Sequence, residues 1–276
     1  MIPAPFEYAR AESVDQTIDL LSRNEDAKVI AGGHSLLPLM RLRLSRPAML
    51  VDISRIGDLR SIREDGDHIA IGALARHHDV ANSETIQRSC PIVAYAASLI
   101  GDPQVRHVGT IGGSCAHADP ASDMPTVLLA LGAELVIGGP NGKSRQVEAA
   151  DFFKGLFEPD LKPNEVLTEI RVPKTAGRGW SYIKFHRRAQ DWALVGVAAL
   201  AGNGTGPAVS LTNMGERPLR ATGVEDALAG GADPATAAQR ADEGTSPPSD
   251  PFGSAEYRKE LSKVLVRRAL EEAMSR

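Results

Sequence analysis

The sequence predicts a mixed fold of helices and strands built in more than one unit, on three observations. Short apolar runs closed by Gly, Asp or Ser alternate with segments of helical periodicity. A Gly-Gly pair closely followed by serine occurs twice, at residues 32–35 and 112–114. A polar, glycine-containing stretch at 174–179 separates this part from a hairpin-like C-terminal part, which puts a boundary near residue 176.

In chain order, Ser13 followed by Gln16 reads as a capping box, and Val14, Ile18 and Leu21 recur at helical spacing, giving a helix over 13–23. Residues 28–30 form a strand that runs into Gly32 and Gly33, and 48–53 form another, closed by Asp52 and Ser54. Asp65-Gly66-Asp67 turns a hairpin within 62–72. Residues 93–100 are helical, 101–114 are polar and glycine-rich, and a helix with Pro125 in its first turn runs through Leu131. Strands are expected at 134–137 and 166–172, with a turn-rich insert at Pro140, Asn141 and Gly142. Beyond the boundary, 180–186 alternates as a strand, and 195–200 and 208–213 form two apolar strands joined by the turn 202–206. A long loop with at most one short helix fills 230–253. The closing helix starts near Ser254, with Tyr257, Leu261, Val264, Leu265 and Leu270 on one face.

Composition narrows the function. The chain has 276 residues, with 31 Lys and Arg against 35 Asp and Glu, a net charge of -4. That balance argues against nucleic acid as a partner. Two cysteines, Cys90 and Cys115, are too few for a four-thiolate zinc site or an iron–sulfur cluster. No apolar run reaches the ~18 residues of a transmembrane helix, and no signal peptide or twin-arginine start is visible, so a cytoplasmic protein is expected. Against 26 Gly and 18 Pro stand six Phe, four Tyr and two Trp, so backbone geometry matters more here than aromatic packing.

Three segments carry chemistry. In Ala31-Gly32-Gly33-His34-Ser35 the glycines remove side chains and permit positive φ, so that consecutive amides can converge on an anion, or simply make a turn. Gly109-Thr110-Ile111-Gly112-Gly113-Ser114 repeats the pattern, and two such segments fit one extended phosphate-bearing ligand. Neither matches the Rossmann fingerprint or the P-loop. Asp123 reads as a helix N-cap that can also accept ribose hydroxyls. The pairs His77-His78 and His117-Asp119 lack further ligands at metal spacing and read as satisfied surface groups, with no metal site expected; Cys115 reads as a packing residue. In the third segment, Trp180, Tyr182 and Lys184 share one strand face that is aromatic and cationic, and Trp192 follows a short polar turn.

These motifs together, 31–44, Gly101-Asp-Pro-Gln-Val-Arg106 leading into 109–114, Asp119-Pro-Ala-Ser-Asp123, and Lys184 to Trp192, resemble the FAD-binding medium subunits of the molybdenum hydroxylases, most of all the carbon monoxide dehydrogenase branch. The resemblance implies an α+β architecture: a vanillyl-alcohol-oxidase (PCMH) type FAD-binding domain in two subdomains, 1–57 and 58–175, followed by a C-terminal α+β domain, 176–276, with a small antiparallel sheet. It implies FAD, with Ala31, Gly32, Gly33, His34 and Ser35 and Thr110, Ile111, Gly112, Gly113 and Ser114 at the pyrophosphate and neighbouring hydroxyls. Asp123 would take the adenosine ribose. Leu161 would touch the ring, Lys184 would sit near its polar edge, and Trp192 near its reactive end. No residue need act as a general acid or base. The molybdenum cofactor and the two-iron two-sulfur clusters would belong to a large and a small partner subunit, in a dimer of heterotrimers. Electrons would leave this chain for an acceptor such as quinone, with the complex peripheral at the inner face of the membrane. The alternatives left open are a medium subunit serving xanthine, nicotine or aldehyde oxidation, and a non-catalytic nucleotide-binding scaffold.

Overall fold

The computed structural model describes residues 2–202 and 206–276. Among the described residues three larger sheets follow one another along the chain, with a two-stranded hairpin beside the second. The first is parallel, with Met49–Asp52 between Glu7–Arg10 and Ala27–Ile30. Parallel strands need crossovers: the helix Val14–Arg23 carries the chain from one outer strand to the other while burying Thr17, Ile18 and Leu21, and the segment holding the helix Leu36–Arg41 returns it to the central strand. The Ser13 hydroxyl accepts from the Gln16 amide at 3.1 Å, but the Gln16 side chain accepts from Glu12 rather than from Ser13, so the cap is a shifted capping box.

The second sheet is antiparallel throughout, in the order Ile62–Asp65, His68–Gly72, Val166–Pro173, Glu134–Gly138, Ser144–Glu148. The hairpin at 65–67 forms as expected, whereas the last strand had no sequence signal. Ile69, Ile71, Leu135, Ile137, Ile170 and Val172 meet the helices Pro91–Ser98 and Asp123–Leu131 in the largest core. Every residue of Asp123–Leu131 is buried, because a second sheet covers its other side.

That third sheet is antiparallel, Trp180–Phe185, Val195–Leu200, Ala208–Thr212, Leu219–Arg220. All six residues of Val195–Leu200 are buried. Ala198 and Leu200 join the core of the second sheet, while Val195, Val197 and Ala199 face the terminal helix Ala255–Ser275. A strand covered on both faces has no polar side, hence its uninterrupted apolar sequence. Of the turn expected at 202–206, residues 203–205 lie outside the described residues.

Several expectations need correction. The polar, glycine-rich residues 101–114 are mostly helical: they hold the helix Pro103–Val108 and enter the helix Ile111–His117, so Gly112 and Gly113 are helical and do not repeat the backbone of the first glycine pair. A Cβ on Gly112 would lie 2.5 Å from the Ala73 Cβ, so close packing overrides glycine's poor helix propensity. The helix Leu36–Arg41 with its internal Pro38 went unread, as did Thr222–Ala229; within 230–253 the short helix Pro234–Ala237 forms. Asp123 is not an N-cap. Ser122 holds that position without a side-chain bond, and Asp123 is the first helical residue. His77 is buried, not a surface histidine.

The face of the terminal helix is also rotated. Tyr257 and Val264 are exposed, and Arg258, Ser262, Leu265, Val266, Ala269, Leu270 and Ala273 are buried. Small residues let the backbone approach the sheet, and a buried arginine breaks the apolar pattern that sequence reading follows. Arg258 donates to the Leu194 carbonyl and to Asp250, both at 2.6 Å.

Candidate functional site

The two glycine segments, some eighty positions apart in sequence, touch. A Cβ on Gly32 would stand 2.4 Å from the Val108 carbonyl oxygen and 2.9 Å from the Gly109 Cα. Two backbones are therefore in direct contact where the first and second units meet. Beside that contact Gly33 has φ +70°, which turns the chain so that the Gly32, Gly33, His34 and Ser35 amides follow one another before the helix Leu36–Arg41. None of these four amides donates to a protein acceptor among the described residues. Four unspent donors in succession, without side chains at two of them, fit a pyrophosphate; the His34 ring turns aside to the Gly32 carbonyl, 2.9 Å away.

The second segment is different. Most of its amides are already used: Ile111 donates to Ala75 O at 3.0 Å, Gly112 to Ala73 O at 2.9 Å, Gly113 to the Thr110 hydroxyl at 3.1 Å, and Ser114 to Thr110 O at 3.0 Å, while the Thr110 amide has no acceptor among the described residues. It forms a wall rather than a second row of donors. What it offers a ligand is the half-buried Ser114 hydroxyl, which has no partner among the described residues. Beneath the wall lies His77. Its amide donates to Gly109 O at 3.0 Å, and its ring would lie 3.1 Å from a Cβ on Gly109. Burial foremost, with the charges of Arg106 and His34, lowers the His77 pKa from 6.5 to about 4, so the ring is neutral at physiological pH. Cys115, fully buried in the same helix, has its thiol pushed up to about 12, as a packing residue should.

Asp123 and Lys184 meet across the boundary between the second and third sheets. The Lys184 ammonium donates to Asp123 Oδ2 at 2.8 Å and to the Leu99 carbonyl at 3.1 Å, and the Tyr182 hydroxyl donates to Asp123 Oδ1 at 2.6 Å. Both charged side chains are 5% exposed. Burial raises the Asp123 carboxyl from its ordinary value, opposed by Lys184 and Tyr182, and burial beside Asp123 raises the Tyr182 phenol. Next to this group Thr212 donates to Thr126 at 2.8 Å, and Arg106 donates to the Ile100 and Gly101 carbonyls at 2.9 and 3.3 Å. Lys184 and Arg106 thus bind three successive carbonyls, 99–101, and the helix beyond them leads to Val108 against Gly32.

Leu161 is half-buried against the core of the second sheet, following the hairpin Phe153–Gly155 and Glu158–Pro159 that packs on the helix Ile111–His117. Trp192 stands 63% exposed beyond the Lys184 strand, without a ring contact to the other site residues. Trp180 packs at 5.6 Å from Tyr95 and is covered by Arg276 at 3.8 Å. Concave regions of about 310 and 330 Å³, at Arg187, Arg188 and Phe252 and around Arg145, share no residue with this site. Sequence reading missed Leu99, Ala73 and Val108, whose contributions are backbone atoms and close packing and so leave no trace in residue type.

Comparison with known proteins agrees with this fold. Residues 4–175 match the FAD binding domain in molybdopterin dehydrogenase, and residues 180–273 match the CO dehydrogenase flavoprotein C-terminal domain. The carbon monoxide dehydrogenase medium chain of Hydrogenophaga pseudoflava is 43% identical, covering 100% of this chain and 99% of that one. The glyceraldehyde dehydrogenase medium chain of Sulfolobus acidocaldarius is 39% identical, covering 99% of both. A solved structure of the carbon monoxide dehydrogenase from Hydrogenophaga pseudoflava superposes with a TM-score of 0.96, covering 100% of this chain and 99% of the other.

Proposed function

This chain belongs to the FAD-binding medium-chain family of the molybdopterin dehydrogenases, and from that premise we propose that it is the electron-transfer flavoprotein subunit of a heterotrimeric enzyme of carbon monoxide dehydrogenase type. The observation that carries the reading is the row of four unspent amides at Gly32, Gly33, His34 and Ser35, held against Gly109. Those amides bind the pyrophosphate, with Ala31 at the strand end. Thr110, Ile111, Gly112 and Gly113 form the opposing wall, and the Ser114 hydroxyl reaches a neighbouring sugar or ribityl hydroxyl. Leu161 covers the ring, and Trp192 shields it from solvent when partners are docked. Lys184, with its remaining N–H, serves the ring's polar edge. Asp123, proposed for the ribose, has both oxygens engaged by Tyr182 and Lys184, so its contribution is to hold that ammonium in place.

FAD, when bound, supplies the store that accepts electrons singly and releases them as a pair. This chain orients that store and leaves the oxidation of substrate to a large molybdenum subunit and electron delivery to a small iron–sulfur subunit, in a dimer of heterotrimers. An external acceptor such as quinone takes the electrons, with the complex in the cytoplasm and peripheral at the membrane. Among the described residues no helix is long and apolar enough to cross a membrane. The 39% identity to a glyceraldehyde dehydrogenase chain favours a second reading in which the holoenzyme oxidises an aldehyde. The test is anaerobic: in the assembled complex carbon monoxide bleaches the flavin and aldehydes or purines do not, while the isolated chain binds FAD and is reduced by none of them. A purified chain that takes up no FAD overturns the proposal.

A further inference from the structure

Leu161 sits on a short irregular segment, 160–165, and the two peptide groups that flank it are fixed by one arginine. Arg145 lies on the edge strand Ser144–Glu148 of the second sheet. Its Nη1 donates to Asp160 Oδ2 at 2.7 Å and its Nη2 to the Asp160 carbonyl at 2.6 Å. Its Nε and Nη2 donate to the two Glu165 carboxylate oxygens at 3.0 and 2.7 Å, and Glu165 in turn accepts from the Lys162 amide at 3.0 Å. The bonds from Arg145 hold the Glu165 carboxyl below its ordinary value, so this acceptor stays ionised. The Asp160 amide donates to Phe152 O at 2.7 Å and the Leu161 amide to Pro159 O at 2.8 Å. The carbonyl just before Leu161 and the amide just after it are therefore both tied to the sheet, with the Leu161 side chain half-buried against the core.

We propose that Arg145 is a positioning residue for the flavin ring: it fixes the backbone that presents Leu161, and acts on the ring only through that side chain. The inference rests on the medium-subunit reading above and on the ring contact given there to Leu161. The segment it clamps adjoins the site, since the hairpin leading into it packs on the helix that carries Ser114, and Phe157 at the hairpin tip stands 5.0 Å from the His117 ring at the end of that helix. Folding stability does not account for the clamp. The Arg145 and Asp160 side chains are 32% and 36% exposed, and ion pairs so open to water contribute little to folding. What four bonds from one planar group supply is geometry, because the guanidinium fork fixes two carboxylates and a carbonyl at once and an ammonium does not. A contact surface held in place before the ligand arrives lowers the ordering cost of binding.

The experiment titrates the full-length apoprotein with FAD and, separately, with ADP, which carries the pyrophosphate but no ring. The parent is compared with Arg145→Met, Arg145→Lys, Leu161→Ala and Arg145→Met/Leu161→Ala, with circular dichroism and the visible bands of bound flavin read on each. FAD affinity weakens about tenfold in Arg145→Met, is only partly regained in Arg145→Lys, and is no lower in the double variant than in Leu161→Ala, while ADP affinity stays within about twofold of the parent throughout. The flavin bands move in the same direction in Arg145→Met and Leu161→Ala. Additive losses in the double variant, equal losses for FAD and ADP, or unchanged FAD affinity in a folded Arg145→Met overturn the inference and leave the medium-subunit reading standing. Asp160→Ala removes one anchor and keeps Glu165 paired, so it decides the matter where Arg145→Met does not fold: a smaller loss confined to FAD supports the inference, and unchanged FAD affinity overturns it. A parent chain that binds neither FAD nor ADP overturns both.

Discussion

Replacing Gly32 by alanine tests the contact on which the site depends. The added methyl would stand 2.4 Å from the Val108 carbonyl oxygen and 2.9 Å from the Gly109 Cα, and both are backbone atoms that cannot rotate away. Relief requires the two segments to separate, and overpacking of this kind costs about 1–3 kcal/mol. Because the four free amides ride on one of those segments, most of that cost falls on ligand affinity. At ~1.4 kcal/mol per tenfold, FAD binding weakens roughly 5- to 150-fold. The assay is the flavin-to-protein ratio after gel filtration, with a fluorescence titration of the apoprotein. Gly57→Ala is the control: no atom lies within 4 Å of its added methyl, so affinity should not change. Unchanged flavin affinity in Gly32→Ala, or equal losses in both variants, would refute the claim that close backbone contact builds the site.

Other expectations follow from the same geometry. Asp123→Asn leaves the Lys184 ammonium buried without its counter-charge and should lower stability by about 3–5 kcal/mol in denaturant unfolding, part of which Asp123→Asn/Lys184→Met restores. His77 is held neutral in the folded chain down to about pH 4, whereas the unfolded chain takes up a proton near 6.5. The unfolded state therefore binds more protons in that window, and stability falls by about 3 kcal/mol as pH drops from 6.5 to 4. A His77→Phe variant should show a shallower acid limb by that amount, and a limb parallel to the parent's counts against a neutral buried ring. Both cysteine thiols, pushed up to about 12 by burial, should resist alkylation at pH 8 until the chain is unfolded. Ser114→Ala should weaken flavin binding by about 0.5–1.5 kcal/mol, read by the same titration.

Local chemistry was legible where it acts locally. The capped first helix, the hairpin at 65–67, three of the four strands of the third sheet and the turn at the first glycine segment appear where residue type and spacing put them, while the strand Leu219–Arg220 had no sequence signal. Gly112 was legible as unusual but not as helical, since its reason is the Ala73 side chain far away in sequence. The terminal helix was misjudged because a buried Arg258 and small Ser262, Ala269 and Ala273 make the contact, and periodicity counts only large apolar residues.

Asp123 and Lys184 show the same division. By itself the sequence singled out two glycine segments, an aspartate before a helix and a lysine on an aromatic strand face, because glycine's missing side chain and a carboxylate's charge are properties of the residues. Only the tertiary structure decided that one segment leaves its amides free while the other spends most of its own on Ala73, Ala75 and Thr110. It also decided that Asp123 and Lys184 hold each other across two sheets. Which atoms remain free for a ligand depends on what long-range packing has already used, and that is settled only when the chain has folded.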